Sequence, residues 1–449
     1  MTAAYCIEQL RRSLEGILAA IISTCDSEGV PNVSMISQVY YVDADHVALS
    51  YQFFNKTRRN LLATRRAAVQ IADPATLQHH RLDLEFVETQ TTGPVFERMK
   101  AQLAGIASHH GMESVFRLLG ADIFRVTGVS AVPGSAAYPP QEAKPLMTLV
   151  RRSFAALDRC TDLERLLDCA SECLERDFGI RHSILLMAEE DQDRLYTVAS
   201  RGYPTSGAGA EVAFGEGVIG VAARENTPIC INFFTSDYRY SAAVTDSARR
   251  LGIVAEAARA IPFPGLAEPQ SQIALPITAA GRLLGVLFAE SESVMAFGYE
   301  DEDALALIAS HLGARMIHLQ PDAEETEVAV PPAPVATERT VAVRYYAFDQ
   351  SIFLDNDYLI KGVAGAILWR LLSLHHETGR TEFSLRELRV DPVLRLPTHS
   401  ENLDARLILL RRRLEERGAC LQIQKCGRGR MRLVVDSRLT LEEIPSLPA

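Results

Sequence analysis

The stretch ENLDARLILLRRRLEER, residues 401–417, and the stretch GRGRMRLVV, residues 427–435, decide how the last quarter of the chain folds. Four leucines of the first stretch recur at the spacing of one helical face, and they are Leu403, Leu407, Leu410 and Leu414. The pattern predicts an amphipathic helix that packs on its leucine side. The polar residues predicted on its remaining surface are Asn402, Arg406, Arg412, Arg413 and Arg417. A helix with an arginine face of this kind suits a duplex groove.

Two glycines follow this helix and predict a tight turn. Gly427 and Gly429 lie between strand-like segments, and Lys425, Arg428 and Arg430 stand beside them. Glycine lets a turn come close to another backbone, and the basic side chains suit phosphate groups. The expected order is therefore a basic helix and then a basic hairpin.

The residues upstream complete a larger pattern. GVAGAILWRLLSLHHETGR (362–380) reads as a helix, Ser384 is placed to cap a short second helix, and two strand-like runs come earlier. Over residues 341–438 the chain resembles the OmpR-type winged-helix DNA-binding domain of bacterial response regulators. The resemblance implies that the basic helix enters the major groove of double-stranded DNA and that the glycine turn is the wing. Binding of a protein in place of DNA is the alternative.

The charge of the chain limits where DNA could be bound. The whole chain has a formal net charge of -11, whereas residues 401–438 carry 10 Lys and Arg against 5 Asp and Glu. Because DNA phosphates are neutralised by Lys and Arg, we expect any DNA contact to be confined to this segment.

Length and composition indicate several cytoplasmic domains. A chain of 449 residues is expected to form two to four domains, and 47% hydrophobic with 23% charged residues is typical of globular proteins. No apolar run reaches the roughly 18 residues of a membrane span, and the amino terminus lacks the pattern of a signal peptide. The 8 cysteines show no paired spacing, which favours a reducing compartment. We therefore expect a cytoplasmic protein without membrane contact.

Two linkers predict three domains. QPDAEETEVAVPPAPVATERT (320–340) is rich in Pro, Ala and Glu, and VPGSAAYPPQEAKP (132–145) is a shorter interruption. The predicted domains are residues 1–131, 146–319 and 341–440.

The middle segment resembles a GAF domain, a small-molecule sensing α/β fold, over nearly all of residues 146–319. The resemblance rests on GEGVIGVAA with Gly215, Gly217 and Gly220, on ICIN after Pro228, and on ALPI before GRLLGVLFAE. A dinucleotide fold is disfavoured because the glycines lack an acidic residue about 20 positions later at the end of a second parallel strand. The resemblance implies a small-molecule effector and a pocket lined by His182, Tyr196, Arg201, Cys230, Asp237, Tyr238 and Arg239.

Three cysteines in the same segment leave two interpretations open. Cys169 and Cys173 are one helical turn apart, and Cys160 precedes them by nine positions. Such thiols are able to hold an iron-sulfur cluster or a metal. Helical cysteines also serve as small apolar core residues.

The first domain is expected to be an antiparallel barrel. Strand patterns recur in residues 16–53, with DSEG and DADH as hairpin turns, and a helical insertion is expected at about 95–119. The order resembles the split barrel of the flavin-reductase and pyridoxamine phosphate oxidase-like group. That resemblance implies an FMN phosphate held by Lys56, Thr57, Arg58, Arg59 and Asn60, and the alternative is a solvated basic turn. The pairs His79, His80 and His109, His110 suggest haem instead.

Taken together, these patterns predict a multidomain α+β protein: a split barrel, a GAF domain and a winged helix. The function they favour is a one-component transcriptional regulator that senses a small molecule, a cofactor or a redox state, and that binds promoter DNA, as a homodimer. The alternative is an FMN-dependent oxidase or reductase with regulatory domains. No acid-base pair or activated nucleophile stands out, so no catalytic residue is predicted.

Overall fold

The sheets of the described residues fall into three successive parts of the chain. The computed structural model describes residues 7–14, 20–36, 39–51, 55–73, 76, 78–109, 118–134, 144–189, 193–232, 261–319, 326–327, 337–394 and 401–445. We name the three parts the amino-terminal, central and carboxy-terminal domains. In the described part of the chain, no helix has the length and apolar character needed to cross a bilayer.

The amino-terminal domain is built on one seven-stranded sheet in the order β2-β1-β5-β6-β7-β4-β3, in which every neighbouring pair is antiparallel. Its strands are β1 (Ala20–Cys25), β2 (Pro31–Ile36), β3 (Val39–Tyr41), β4 (His46–Tyr51), β5 (Arg66–Ala72), β6 (His79–Gln90) and β7 (Gly120–Ala131). The two predicted hairpin turns are confirmed. In the first turn, Asp26 accepts hydrogen bonds from the backbone amides of Glu28 and Val30, at 3.0 and 2.8 Å.

Two helices accompany this sheet after a 3₁₀ segment at Ile7–Ser13. Helix α1 (Lys56–Thr64) begins at Asn55, whose side chain accepts from the Arg58 amide at 3.0 Å. Helix α2 (Pro94–His109) is the predicted insertion. Its Phe96, Met99 and Leu103 pack against Ala48 and Ile123 on the sheet. Residues 110–117, the rest of the predicted insertion, lie outside the described residues.

The central domain has a six-stranded antiparallel sheet in the order β10-β9-β8-β13-β12-β11. The strands are β8 (His182–Glu189), β9 (Arg194–Arg201), β10 (Glu211–Ala213), β11 (Ile229–Ile231), β12 (Ser271–Ala279) and β13 (Arg282–Ser291). The helices are α3 (Leu146–Leu157), α4 (Leu163–Phe178), α5 (Gly217–Glu225) and α6 (Tyr299–His318). Asp162 caps α4 by accepting from the Arg165 amide at 3.0 Å, as one of two predicted caps.

Both faces of the central sheet are buried, so its strands read as apolar runs rather than as an alternation. Residues such as Leu185 and Leu287 face helices α3, α4 and α6. Residues such as Ile184 and Phe288 face helix α5. The first of these apolar clusters continues into the carboxy-terminal domain without a break.

The carboxy-terminal domain combines three helices with two main sheets. A four-stranded sheet has the order β17-β16-β15-β22, and a three-stranded sheet has the order β18-β21-β19. The strands are β14 (Thr326–Glu327), β15 (Thr337–Tyr346), β16 (Ser351–Leu354), β17 (Asp357–Ile360), β18 (Glu382–Ser384), β19 (Leu421–Lys425), β20 (Gly427–Arg428), β21 (Arg430–Val435) and β22 (Ser437–Ile444). The helices are α7 (Gly362–Thr378), α8 (Leu385–Val390) and α9 (Glu401–Glu416).

Several local predictions for this domain are confirmed. Ser384 caps α8 together with Glu387 in a capping box, and α9 coincides with the predicted basic helix. Strands β19 and β21 form the predicted hairpin, with Gly429 at a φ of 75° in its turn. Strand β15 begins at Thr337, four positions before the predicted domain boundary, because it pairs in parallel with β22 at that end.

Candidate functional site

The basic helix α9 is buried on two sides. Leu403, Leu410 and Leu414 are buried, as the leucine spacing predicts. Ala405, Ile408 and Leu409 are buried as well, on a second apolar row. The helix therefore packs against its own domain and also against α4 and β9 of the central domain.

Two predicted surface arginines are buried by these contacts. Arg406 and Arg413 are only 5% and 4% exposed, so the prediction that both lie on the outer surface is wrong for them. The physical reason is that both sides of α9 are covered: Arg406 faces the central domain, and Arg413 faces strand β17 of its own domain. Arg413 donates to the Leu359 carbonyl at 3.0 Å and pairs with Glu416 at 2.9 Å, and burial lowers its pKa.

Arg406 and Arg412 reach the central domain. Arg406 pairs with Glu189 at 2.6 Å, and its guanidinium carbon lies 3.7 Å from the ring centroid of Tyr196. Arg412 pairs with Asp168 and donates to the Val198 carbonyl, both at 2.6 Å. The Arg412 contacts are charge-assisted hydrogen bonds, and the Arg406 ion pair is buried on both sides.

Two further cations extend the same contact. Arg411, which the sequence does not single out, pairs with Glu164, and burial lowers the pKa of Arg411. Lys425 of the hairpin lies 3.3 Å from Asp162 and 3.2 Å from Glu164. Only the fold reveals these carboxylates as partners, because they lie more than two hundred positions earlier in the chain.

The remaining predicted nucleic-acid residues lie at the edges of this contact. Arg417 is exposed and donates to the Tyr358 carbonyl at 3.3 Å. Arg430 is half-buried on β21. The backbone of Arg428 pairs with Thr326 in the short ladder of β14 and β20. The side chains of Asn402 and Arg428 lie outside the described residues.

The predicted pocket residues of the central domain fall on different surfaces. His182 lies at the start of β8, with its ring 5.4 Å from that of Tyr203. Tyr196 faces Arg406, on the opposite side of the sheet. Arg201 pairs with Glu175, and Cys230 contacts the Phe297 carbonyl at 3.7 Å. Asp237, Tyr238 and Arg239 lie outside the described residues.

A buried polar group near His182 was not predicted. Glu290 accepts hydrogen bonds from the Tyr203 hydroxyl at 2.9 Å, the Leu266 amide at 2.7 Å and the Gln272 amide group at 3.0 Å. Burial and the Glu290 charge raise the pKa of Tyr203. The sequence signal for this group is a carboxylate that ends the apolar strand GRLLGVLFAE. Because a carboxylate is rarely buried without partners, such a position marks a polar site.

The three central cysteines form a row of thiols. The Cys160 thiol donates to the backbone carbonyls of Ala156 and Arg165, both at 3.6 Å. The neighbouring Cys173 thiol lowers the pKa of Cys169, whereas Cys169 and burial raise the pKa of Cys173. Among the described residues, no group of three or more His, Cys, Asp and Glu side chains is arranged to hold a metal ion.

The predicted FMN residues do not form a phosphate cradle in this arrangement. Thr57 accepts from Asn32 at 2.9 Å, and Asn60 donates to Thr24 at 3.2 Å. Arg58 pairs with Asp122 and also donates to Thr89 at 2.7 Å, so its guanidinium charge is already matched. Of the five, Lys56 and Arg59 are exposed. FMN binding stays a prediction that these contacts do not support.

The predicted haem histidines are only partly described. His79 contacts Gln70 at 3.0 Å, and His80 is buried on the same strand, with a pKa that burial lowers. Neighbouring residues of a strand point to opposite faces, so this pair does not converge on one ligand. The side chain of His109 and all of His110 lie outside the described residues.

The comparisons with known proteins agree with the fold predicted for the central domain. Residues 160–316 match the GAF domain family, which confirms the GAF domain predicted there. No curated protein matches the chain.

Solved structures resemble separate parts of the chain. The GAF domain of an Acinetobacter phosphoenolpyruvate-protein phosphotransferase is 16% identical, with 39% of this chain and 95% of that chain covered and a TM-score of 0.31. The free methionine-R-sulfoxide reductase of Neisseria meningitidis is 21% identical, with 40% and 92% covered and a TM-score of 0.30. An FMN-binding protein of Syntrophomonas wolfei is 18% identical, with 28% and 87% covered and a TM-score of 0.24. The ligands and activities of these three proteins are not assigned to this chain.

Proposed function

We propose that this protein is a sensory regulator that binds duplex DNA through its carboxy-terminal domain. The observation that carries the proposal is the order of elements between Gly362 and Val435. Helix α7 is followed by β18, α8, α9 and the hairpin of β19 and β21. A helix pair, a basic helix and a basic glycine hairpin in this order are what a winged helix requires. The strands β15, β16 and β17 precede the helices, as the strand-like runs of the OmpR-type resemblance imply.

The chemistry of the basic helix supports the same proposal. Helix α9 and its hairpin carry most of the cations of the segment 401–438, which has a charge of +5 within a chain of net charge -11. Arginine forms bidentate hydrogen bonds with phosphate and with guanine, so this residue type suits both backbone and base contacts. In this proposal Arg406, Arg412 and Arg417 approach DNA from the helix, and Arg428 and Arg430 approach it from the hairpin.

The GAF domain is proposed to supply the signal. Glu290, Tyr203 and Gln272 form a buried polar group beside His182, on the face of the sheet that carries α5. A few polar groups in an otherwise apolar pocket are typical of small-molecule binding sites. A small polar effector bound there would act on the output only by favouring one arrangement of the domains over another. A homodimer with two winged helices remains part of the proposal.

The test is duplex binding by the full-length chain. Fragments selected from a random duplex pool at low ionic strength provide the ligand, and affinity is then measured against salt concentration. We expect a steep loss of affinity with salt, because bound phosphates release counterions. Arg428→Ala with Arg430→Ala should weaken binding about tenfold and should reduce the salt slope by about 2.

Arg438→Ala is the matched control. Arg438 is exposed in the same domain but lies on β22, away from the hairpin. It should leave the affinity within about twofold of the wild type, because it contacts no phosphate in this proposal. Equal losses in the control and the hairpin variant would contradict the proposal, as would binding that does not respond to salt. The latter outcome would favour a protein partner.

A further inference from the structure

The basic helix is covered by the GAF domain rather than presented to solvent. We propose that the GAF domain holds α9 in a closed arrangement in which carboxylates occupy the places that DNA phosphates would take, so that this contact and DNA binding exclude each other. The inference rests on the proposed function, since it concerns the regulation of the same helix.

Four carboxylates of the GAF domain lie against these cations, and we call this set the acidic surface. It consists of Asp162, Glu164 and Asp168 at the start of α4, with Glu189 at the end of β8. Each of the four lies within ion-pair distance of a cation from α9 or the hairpin. The match in sign and number is that of an electrostatically complementary interface.

The acidic surface and the proposed DNA contact use the same cations of α9. Arg406 and Arg412 are two of the three helix residues proposed to approach DNA, and here both are paired with the GAF domain. A guanidinium bound to a carboxylate at 2.6 Å has no room for a phosphate on the same donors. DNA therefore has to displace the acidic surface before it meets these arginines.

The hairpin is engaged as well. Lys425 lies between Asp162 and Glu164, and Glu416 at the end of α9 accepts from the Ser206 amide at 3.2 Å. The linker strand β14 pairs with β20 at the hairpin turn. The chain thus covers both parts of the proposed DNA-binding surface with its own residues.

The outer ion pairs are the weaker part of this contact. The Asp162 and Asp168 side chains are 43% and 42% exposed, so their pairs are screened by salt and are individually weak. Apparent affinity for DNA falls in proportion to the open fraction. An effector that prefers the open arrangement would raise that fraction and hence DNA binding.

A zero-length cross-link measures the closed arrangement without DNA. A carbodiimide joins an amine to a carboxylate only when they touch, and Lys425 meets Asp162 and Glu164 at 3.3 and 3.2 Å. Peptide mass spectrometry of the full-length wild type should find Lys425 joined to Asp162 or Glu164. In a gel-shift experiment on the selected duplex, the cross-linked fraction should remain unbound.

Asp168→Arg is the opening variant, because it places a cation against Arg412 at a half-exposed position. We expect the cross-link yield to fall about fivefold and duplex affinity to rise about tenfold at constant salt. Glu172→Arg makes the same charge change on the exposed side of α4 and should alter neither quantity beyond about twofold. The charge swap Asp168→Arg with Arg412→Asp should restore the cross-link.

The outcomes separate this inference from the proposed function. A cross-link that responds as described, in proteins that never bind duplex, would support the closed contact and refute DNA binding. Duplex binding by the wild type that Asp168→Arg does not increase beyond Glu172→Arg would overturn the inference and leave the proposed function standing. Absence of the cross-link in the wild type would also overturn it.

Discussion

At the scale of single residues, Asp177 shows how partners stabilise a buried charge. Asp177, near the end of α4, has a fully buried side chain. Its carboxylate accepts from Ser153 at 3.2 Å and from Arg176 at 2.6 Å, and Arg152 lies 3.2 Å away. The Arg176 hydrogen bond, above all other favourable contacts, holds the pKa of Asp177 below its ordinary value. Asp177 therefore stabilises the fold as an anion.

Asp177→Asn should lower the free energy of unfolding by about 2 kcal/mol at pH 7, since it removes charged hydrogen bonds. A carboxylate with a lowered pKa stabilises above its unfolded-state pKa of about 3.9 and loses that effect as the pH falls through the folded-state pKa. The difference between variant and wild type in urea denaturation should hence be constant from pH 7 to about 5 and shrink below about 4.

Glu172→Gln removes a charge from the exposed side of the same helix and is the control. It should change stability by less than about 0.5 kcal/mol. A deficit of Asp177→Asn that persisted unchanged at about pH 3 would show that the effect is not electrostatic.

At the scale of elements, the glycine string GEGVIG serves packing rather than phosphate binding. A Cβ on Gly220 would lie 2.1 Å from the Ala213 carbonyl oxygen and 2.9 Å from the Gly215 nitrogen. Helix α5 therefore comes against the turn before it at a distance that only glycine permits. Since both clashing atoms belong to the backbone, no side-chain movement relieves them.

Gly220→Ala should destabilise the protein by about 1–3 kcal/mol, the usual range for forcing a methyl group into a packed site. Gly265→Ala is the control, because its Cβ would lie 3.8 Å from Glu290 Oε1 in ordinary contact. Thermal unfolding of both variants measures the difference. Equal thermal unfolding midpoints for the two variants would mean that α5 moves away from the preceding turn at little cost.

At the scale of the whole molecule, the GAF domain is held between its neighbours. Helix α2 of the amino-terminal domain packs on α5 and β11, and helix α9 of the carboxy-terminal domain packs on α4 and β9. These contacts lie over opposite faces of the central sheet. A change in the GAF domain therefore reaches both neighbours directly.

An ion pair with a buried carboxylate also links the amino-terminal domain to the GAF domain. Arg98 of α2 pairs with Glu302 of α6, and burial raises the pKa of Glu302 while Arg98 opposes that rise. Arg98→Met should cost about 3 kcal/mol, because Glu302 would remain buried without its partner. Arg98→Met with Glu302→Leu should recover most of this loss. Calorimetry of the full-length chain measures both.

Lys100→Ala is the control for this pair. Lys100 lies on the same helix and reaches Glu225 at 3.8 Å, but its side chain is exposed. An exposed pair contributes about 0–1 kcal/mol, so little change is expected. A loss as large as that of Arg98→Met, or no recovery in the double variant, would mean that Glu302 is not the cause.

The sequence by itself determined the local elements. Leucine spacing located α9, Ser384 and Asp162 located helix starts, and paired turn residues located hairpins, because each signal depends on neighbours a few positions apart. The resemblance to a GAF domain also rests on short sequence strings, so it does not depend on the order of the strands in the sheet.

Only the tertiary structure decided what the arginines contact. The leucine face of α9 was readable, yet its second apolar row, with Ala405, Ile408 and Leu409, could not be assigned to a partner from the sequence. Arg412 meets Asp168 across 244 positions of chain, and no periodicity relates the two. A side chain's charge is fixed by its residue type, but its partner is fixed by which surfaces pack together. For this protein, that packing turns a predicted open arginine face into a covered one.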